Sequence, residues 1–198
     1  MENSNFIRNV YLMLLLQIFI SFSILAAIRY YYPENRLERY WFVYFILSLL
    51  IIIALPFPSR FRWFLNILFC VVLGIILYIS TKYQPAVDIQ ISFLSTVMIF
   101  LFFTIISVMI SKNNVDLENW GKYLLGALIG LIVFGLINLF VQNQRARSVY
   151  VAIGLILFSL FVVYDTNRLL LKKDRDVLSA SIAFYLDFIN IFSLMNNN

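Results

Sequence analysis

Two carboxylates are the residues of this chain best placed to do chemistry. Asp165 lies in FVVYDTNRLL (161–170) and Asp187 in AFYLDFINIF (183–192), both inside apolar runs. The other acidic residues fall in tails, connections or the edges of such runs. On insertion scales, a carboxylate at the centre of a membrane helix costs about 2.5–3.5 kcal/mol, so its default reading is a site for ions, protons or catalysis. The two runs are joined by the short connection LKKDRDV (171–177). At about 1.5 Å per residue, Asp165 lies about 9 Å and Asp187 about 15 Å from their shared end. Helix tilt can close a mismatch of about one turn, so the two carboxylates are expected to face each other. Touching carboxylates cannot both ionise cheaply and are expected to share a proton. A hard cation such as Ca²⁺ can take that proton's place, with water or carbonyl oxygens completing its shell. The pair then reads as a weak, pH-dependent cation site, or else as a proton-sharing bond that only locks two helices together.

The elements that must position these acids are membrane spans. Of 198 residues 63% are hydrophobic and only 13% charged, and the mean hydropathy is +0.90. A soluble domain carries about 25% charged residues. Lipid is therefore the expected solvent. Runs at about 9–28, 41–57, 63–81, 90–110, 120–141, 149–171 and 177–195 are each near the length needed to cross. The first is read as a retained helix rather than a cleaved signal peptide. The last is short and the least hydrophobic, and either crosses fully or re-enters. The second ends at the Pro56/Pro58 pair, and Trp41, Trp63 and Trp120 sit at run edges, where amphipathic rings belong. These features predict an all-α integral membrane protein, a single domain of seven transmembrane helices over 1–198.

Charge and composition exclude several functions. The net charge is +5, but the basic residues are scattered through short connections, so the positive-inside rule explains them better than nucleic acid does. Nine of the 15 basic residues, including Arg60, Arg62, Lys172, Lys173 and Arg175, fall on the amino-terminal side, which favours a cytosolic amino terminus. With no His, imidazole-based zinc sites, Ser-His or Cys-His catalysis and imidazole pH sensing are absent. The one cysteine, Cys70, permits no disulfide within a single chain. Gly126 and Gly130 form a GxxxG pair, read as packing inside a monomeric bundle, with a dimer face as the alternative. Arg60 and Arg62 follow the second span, either as flanking charges or reaching inward to pair with an ionised aspartate.

FIRNVYLMLLLQ (6–17), VVYDTNRLL (162–170) and ASIAFYLDFINIF (180–192) resemble the transmembrane Bax inhibitor motif family nearly end to end. The resemblance implies a seven-helix bundle that leaks Ca²⁺, its pore closed by a pH-sensitive aspartate pair at Asp165 and Asp187. It implies an arginine latch on that pair, best matched by Arg60, with Arg62 the alternative. It also implies suppression of cell death and lowering of stored Ca²⁺. The membrane would be that of the Golgi or endoplasmic reticulum in a eukaryotic or viral setting, and the plasma membrane in a bacterium. Implied partners are the bilayer, Ca²⁺, protons and other membrane proteins of the cell-death or Ca²⁺-release machinery; no cofactor is implied. One rival is a non-conducting regulator acting through protein partners. Another is an intramembrane aspartyl protease, suggested by Tyr164-Asp165. However, no Gly-x-Gly precedes Asp187 and no Pro-Ala-Leu motif is present, so no enzyme activity is expected. A proton-coupled transporter would need paired broken helices, for which the chain gives no sign.

Overall fold

Lipid offers no partner for a bare backbone amide, so an apolar run of span length must satisfy its own hydrogen bonds as helix. A computed structural model describes residues 2–32, 36–55, 60–141, 143–171 and 176–196, with no strand among them. The helices are α1 (Glu2–Tyr31), α2 (Trp41–Ala54, led by a short 3-10 turn at Leu37–Tyr40), α3 (Arg62–Thr81), α4 (Ala86–Lys112), α5 (Trp120–Val141), α6 (Gln144–Leu171) and α7 (Val177–Met195). Among the described residues, seven stretches are long and apolar enough to cross a membrane. The chain is an all-α membrane protein.

Several helices outrun the apolar stretches that announce them. α1 begins at Glu2, α4 at Ala86 and α6 at Gln144. The end groups of a helix that runs past its apolar stretch can be satisfied by water. α7 is one unbroken helix of 19 residues, which resolves the last segment as a continuous helix rather than a dip and return. Pro56, Pro58, Lys172, Lys173 and Arg175 lie outside the described residues. Large apolar side chains face outward, among them Phe140 at 87%, Met98 at 71% and Phe19 at 69% exposure. Apolar surface on that scale suits lipid rather than water.

The helices sort into two compact units. The first holds residues up to Pro85 together with Asp176–Tyr185. In it, Gly74 of α3 lies against α1: a Cβ there would meet the Ser21 carbonyl oxygen at 2.7 Å. Only glycine permits so close a backbone approach. Arg29 of α1 donates to the Thr81 carbonyl at 3.2 Å and also to the Gln84 carbonyl, closing the carboxyl end of α3. Lys82 reaches both carboxylate oxygens of Glu38 at 2.8 Å, tying the 3-10 turn to that same end.

The second unit holds Ala86–Arg175 and Leu186–Asn198. α6 is its centre. Ser107 of α4 donates to the Val163 carbonyl at 2.6 Å. Gly121 and Gly135 of α5 lie against Tyr164 and Tyr150 of α6, and Gly154 of α6 lies against Leu194 of α7. The GxxxG pair does not pack inside the bundle as expected: a Cβ at Gly126 or Gly130 meets nothing within 4 Å among the described residues. Large tyrosine rings, which demand room, fall opposite Gly121 and Gly135 instead.

Candidate ion and proton site

The site is built in the second unit from the last turns of α6 and the second half of α7. Around Asp165 the helix is fixed from both sides in sequence. Two residues earlier is Val163, whose carbonyl takes the Ser107 hydroxyl. Two residues later is Asn167, only 1% exposed. Its amide nitrogen donates to Ser111 Oγ and to the Val115 carbonyl, each at 2.9 Å. Its carbonyl accepts the Leu117 N–H at 3.0 Å. Three of its four hydrogen-bonding places are filled, knotting α6 to the end of α4 and the chain that follows. On α7, Phe188 follows the second aspartate and packs edge-on against Phe93 and Phe100 of α4, at ring separations of 5.7 and 6.0 Å.

Held in this way, Asp165 and Asp187 are brought together and act on each other electrostatically. The offset of about one turn estimated from helix rise is closed in the folded chain. A hydrogen bond between two carboxyl groups requires a proton, since an ionised carboxylate only accepts. Asp187 is 5% exposed, and its Oδ2 has no hydrogen-bond partner among the described residues. Asp165 is half-buried. Arg168, exposed one turn further along α6, acts on it electrostatically. The arrangement can hold a proton, exchange it for a cation, or present a bare oxygen to either.

Hard cations prefer oxygen, and this donor set is oxygen only. Among the described residues, no group of three or more His, Cys, Asp or Glu side chains could hold a metal ion. Two carboxylates alone leave the shell of such a cation incomplete, and water or carbonyl oxygens would have to supply the rest. Of the two latch candidates, Arg60 is exposed, just ahead of α3. Arg62 is engaged in the first unit: it donates to the Leu55 carbonyl at 2.9 Å, to Ser179 Oγ at 3.2 Å and to the Asp176 carboxylate. Partial burial pushes the Asp176 carboxyl up, but Arg62, Ser179 and the Leu178 N–H together hold it below the usual carboxylate range.

Sequence reasoning passed over Asn167 and Arg168, although both stand in the same YDTNR stretch as Asp165. An amide two residues from an intramembrane acid, inside an apolar run, was the available signal.

A family model described as inhibitor of apoptosis-promoting Bax1 matches residues 3–196. Protein LIFEGUARD 4 of Arabidopsis thaliana is 26% identical over 199 residues, covering 94% of this chain and 81% of the plant protein. The Golgi anti-apoptotic protein of Vaccinia virus (strain Lister) is 36% identical over 115 residues, 58% of this chain and 47% of the viral one. An uncharacterized protein of Helicobacter pylori is 38% identical over 92 residues, 46% of this chain and 40% of its own. The chain thus spans about two fifths of the Helicobacter protein and about half of the viral one. With the match running from one end of the helices to the other, the chain belongs to the Bax1-I family, the inhibitors of apoptosis-promoting Bax1.

Proposed function

We propose that this chain is a pH-sensitive Ca²⁺ leak of an internal or cell membrane, gated by Asp165 and Asp187, that lowers stored Ca²⁺ and suppresses apoptosis. The observation that carries this reading is the close approach of the two carboxyl groups, with Asp187 buried and its Oδ2 without a hydrogen-bond partner among the described residues. A proton shared between them ties α6 to α7. When it leaves, two like charges face each other in a poorly solvated place, and the repulsion falls steeply only if the helices part or a cation enters. Ca²⁺ then competes with the proton for the same oxygens. The Golgi anti-apoptotic relative supports the placement in cell-death control and hints at a Golgi membrane.

The test is Ca²⁺ efflux from proteoliposomes holding only the purified protein, measured against pH. Asp165→Asn and Asp187→Asn should each abolish the pH dependence, because an amide can hydrogen-bond but cannot titrate. An unchanged pH profile in both variants refutes the gate. If the wild-type protein gives no flux at all, the reading reverts to a non-conducting regulator acting through membrane partners. The open Gly126/Gly130 face of α5 favours that second reading.

A further inference from the structure

The core of the first unit contains a second polar assembly, which the aspartate pair does not use. It is built from three helices, each contributing residues at i and i+4: Gln17 and Ser21 of α1, Asn66 and Cys70 of α3, Ser181 and Tyr185 of α7. All six are 0% exposed. Residues spaced i, i+4 lie one above the other on a helix face, so the six form two stacked layers. In one layer, Gln17 Nε2 donates to Asn66 Oδ1 at 2.8 Å and to Ser181 Oγ at 3.3 Å. In the other, the Ser21 and Tyr185 hydroxyls are hydrogen-bonded to each other, Ser21 donates to the Cys70 carbonyl at 2.8 Å, and Tyr185 also reaches the Cys70 side chain.

The Ser181 proton is committed to the Leu178 carbonyl at 2.9 Å, so its oxygen can only accept. That fixes the Gln17 amide with its nitrogen towards Ser181 and both its hydrogens in use. Two atoms remain without partners among the described residues: Gln17 Oε1, an acceptor, and Asn66 Nδ2, a donor. Buried polar groups are almost always satisfied, by protein or by ordered water. A ligand completing this pair must donate to one atom and accept from the other. A metal cation fails, because it cannot accept from an N–H; an anion fails, because it cannot donate to a C=O.

We propose that the first unit binds an internal water molecule at Gln17 and Asn66, making its core a second intramembrane polar site. The water donates to Gln17 Oε1, accepts from Asn66 Nδ2 and completes the layer of Gln17, Asn66 and Ser181.

X-ray radiolytic footprinting of the full chain in lipid nanodiscs tests this, because hydroxyl radicals formed from a bound water oxidise the side chains beside it. Cys70 and Tyr185, one helical turn from the water site, should be oxidised despite complete burial. Tyr78, buried at 2% exposure elsewhere on α3, should stay protected. A wild-type protein in which Cys70 and Tyr185 are as protected as Tyr78 overturns the proposal. The double variant Gln17→Leu/Asn66→Leu should lose the labelling; labelling that persists in it also overturns the proposal. Asn66→Leu alone leaves the Gln17 amide stranded, so it should lower the melting temperature more than the double variant does. Should the double variant fail to fold, the wild-type labelling pattern decides.

Discussion

Removing the Asp176 carboxylate separates two things that the residue does at the start of α7. It is the N-cap: its carbonyl accepts the Ala180 N–H at 3.0 Å, and its Oδ1 accepts the Leu178 N–H at 3.2 Å. It is also the anion beside Arg62, with 43% of its side chain exposed. Asparagine caps a helix about as well as aspartate, so Asp176→Asn isolates the ion pair, which at this exposure is worth at most about 1 kcal/mol. Asp176→Ala removes the cap as well and should cost about a further 1 kcal/mol. The pH dependence has a definite sign. A carboxyl held below its usual range stabilises the fold above the unfolded value of about 4 and loses that contribution as pH falls through the folded value. Thermal unfolding in nanodiscs at pH 7 and at pH 3 measures both effects. The wild type should exceed Asp176→Asn at pH 7, and the gap should narrow at pH 3. A gap that widens as pH falls, or an alanine variant no worse than the asparagine one, refutes the reasoning.

Further outcomes follow from the packing and the candidate site. Gly74→Ala drives a Cβ against the Ser21 backbone oxygen at 2.7 Å, which cannot yield as a side chain would. It should cost about 1–3 kcal/mol in thermal unfolding, and an unchanged melting point would show that α1 and α3 separate freely. Gly154→Ala meets the flexible tip of Leu194 at a similar 2.7 Å and should be the milder of the two; the opposite order counts against the argument. Asn167→Leu strands the buried Leu117 N–H and should cost about 1–3 kcal/mol, read by the same melt. Arg60→Ala should raise Ca²⁺ efflux at neutral pH without lowering the melting point if Arg60 is the latch. Arg62→Ala should lower the melting point, because Arg62 already holds Asp176 and Leu55; wild-type flux in both variants leaves them as flanking charges.

The spans were legible because lipid imposes a simple demand, a long apolar run with charge at its ends. Where helices continue past that run, as α1 does to Glu2, hydropathy carries no signal. The acids were legible for the converse reason: Asp165 and Asp187 are the costly residues in cheap surroundings. Their mutual approach followed from helix rise and a short connection, but the offset of about one turn could not be resolved without the tilt. Glycine roles were the hardest to read. Gly126 and Gly130 carry the recognisable spacing, yet Gly121 and Gly135 do the packing, because Tyr164 and Tyr150 stand opposite them. Neutral polar residues such as Asn167, Gln17 and Asn66 escaped notice because one amide in an apolar run costs far less than a charge. Only the folded chain shows their partners, Asn66 for Gln17 and Ser111 for Asn167.

The account rests most directly on a single proton shared by Asp165 and Asp187 and displaced by Ca²⁺. Counting the protons released per Ca²⁺ bound, by calorimetry in buffers of differing ionisation enthalpy, tests it. The expected result is about one proton for each ion, with binding that weakens as pH falls and a release abolished in Asp187→Asn. Binding indifferent to pH between about 5 and 8, or a release that survives the substitution, contradicts it.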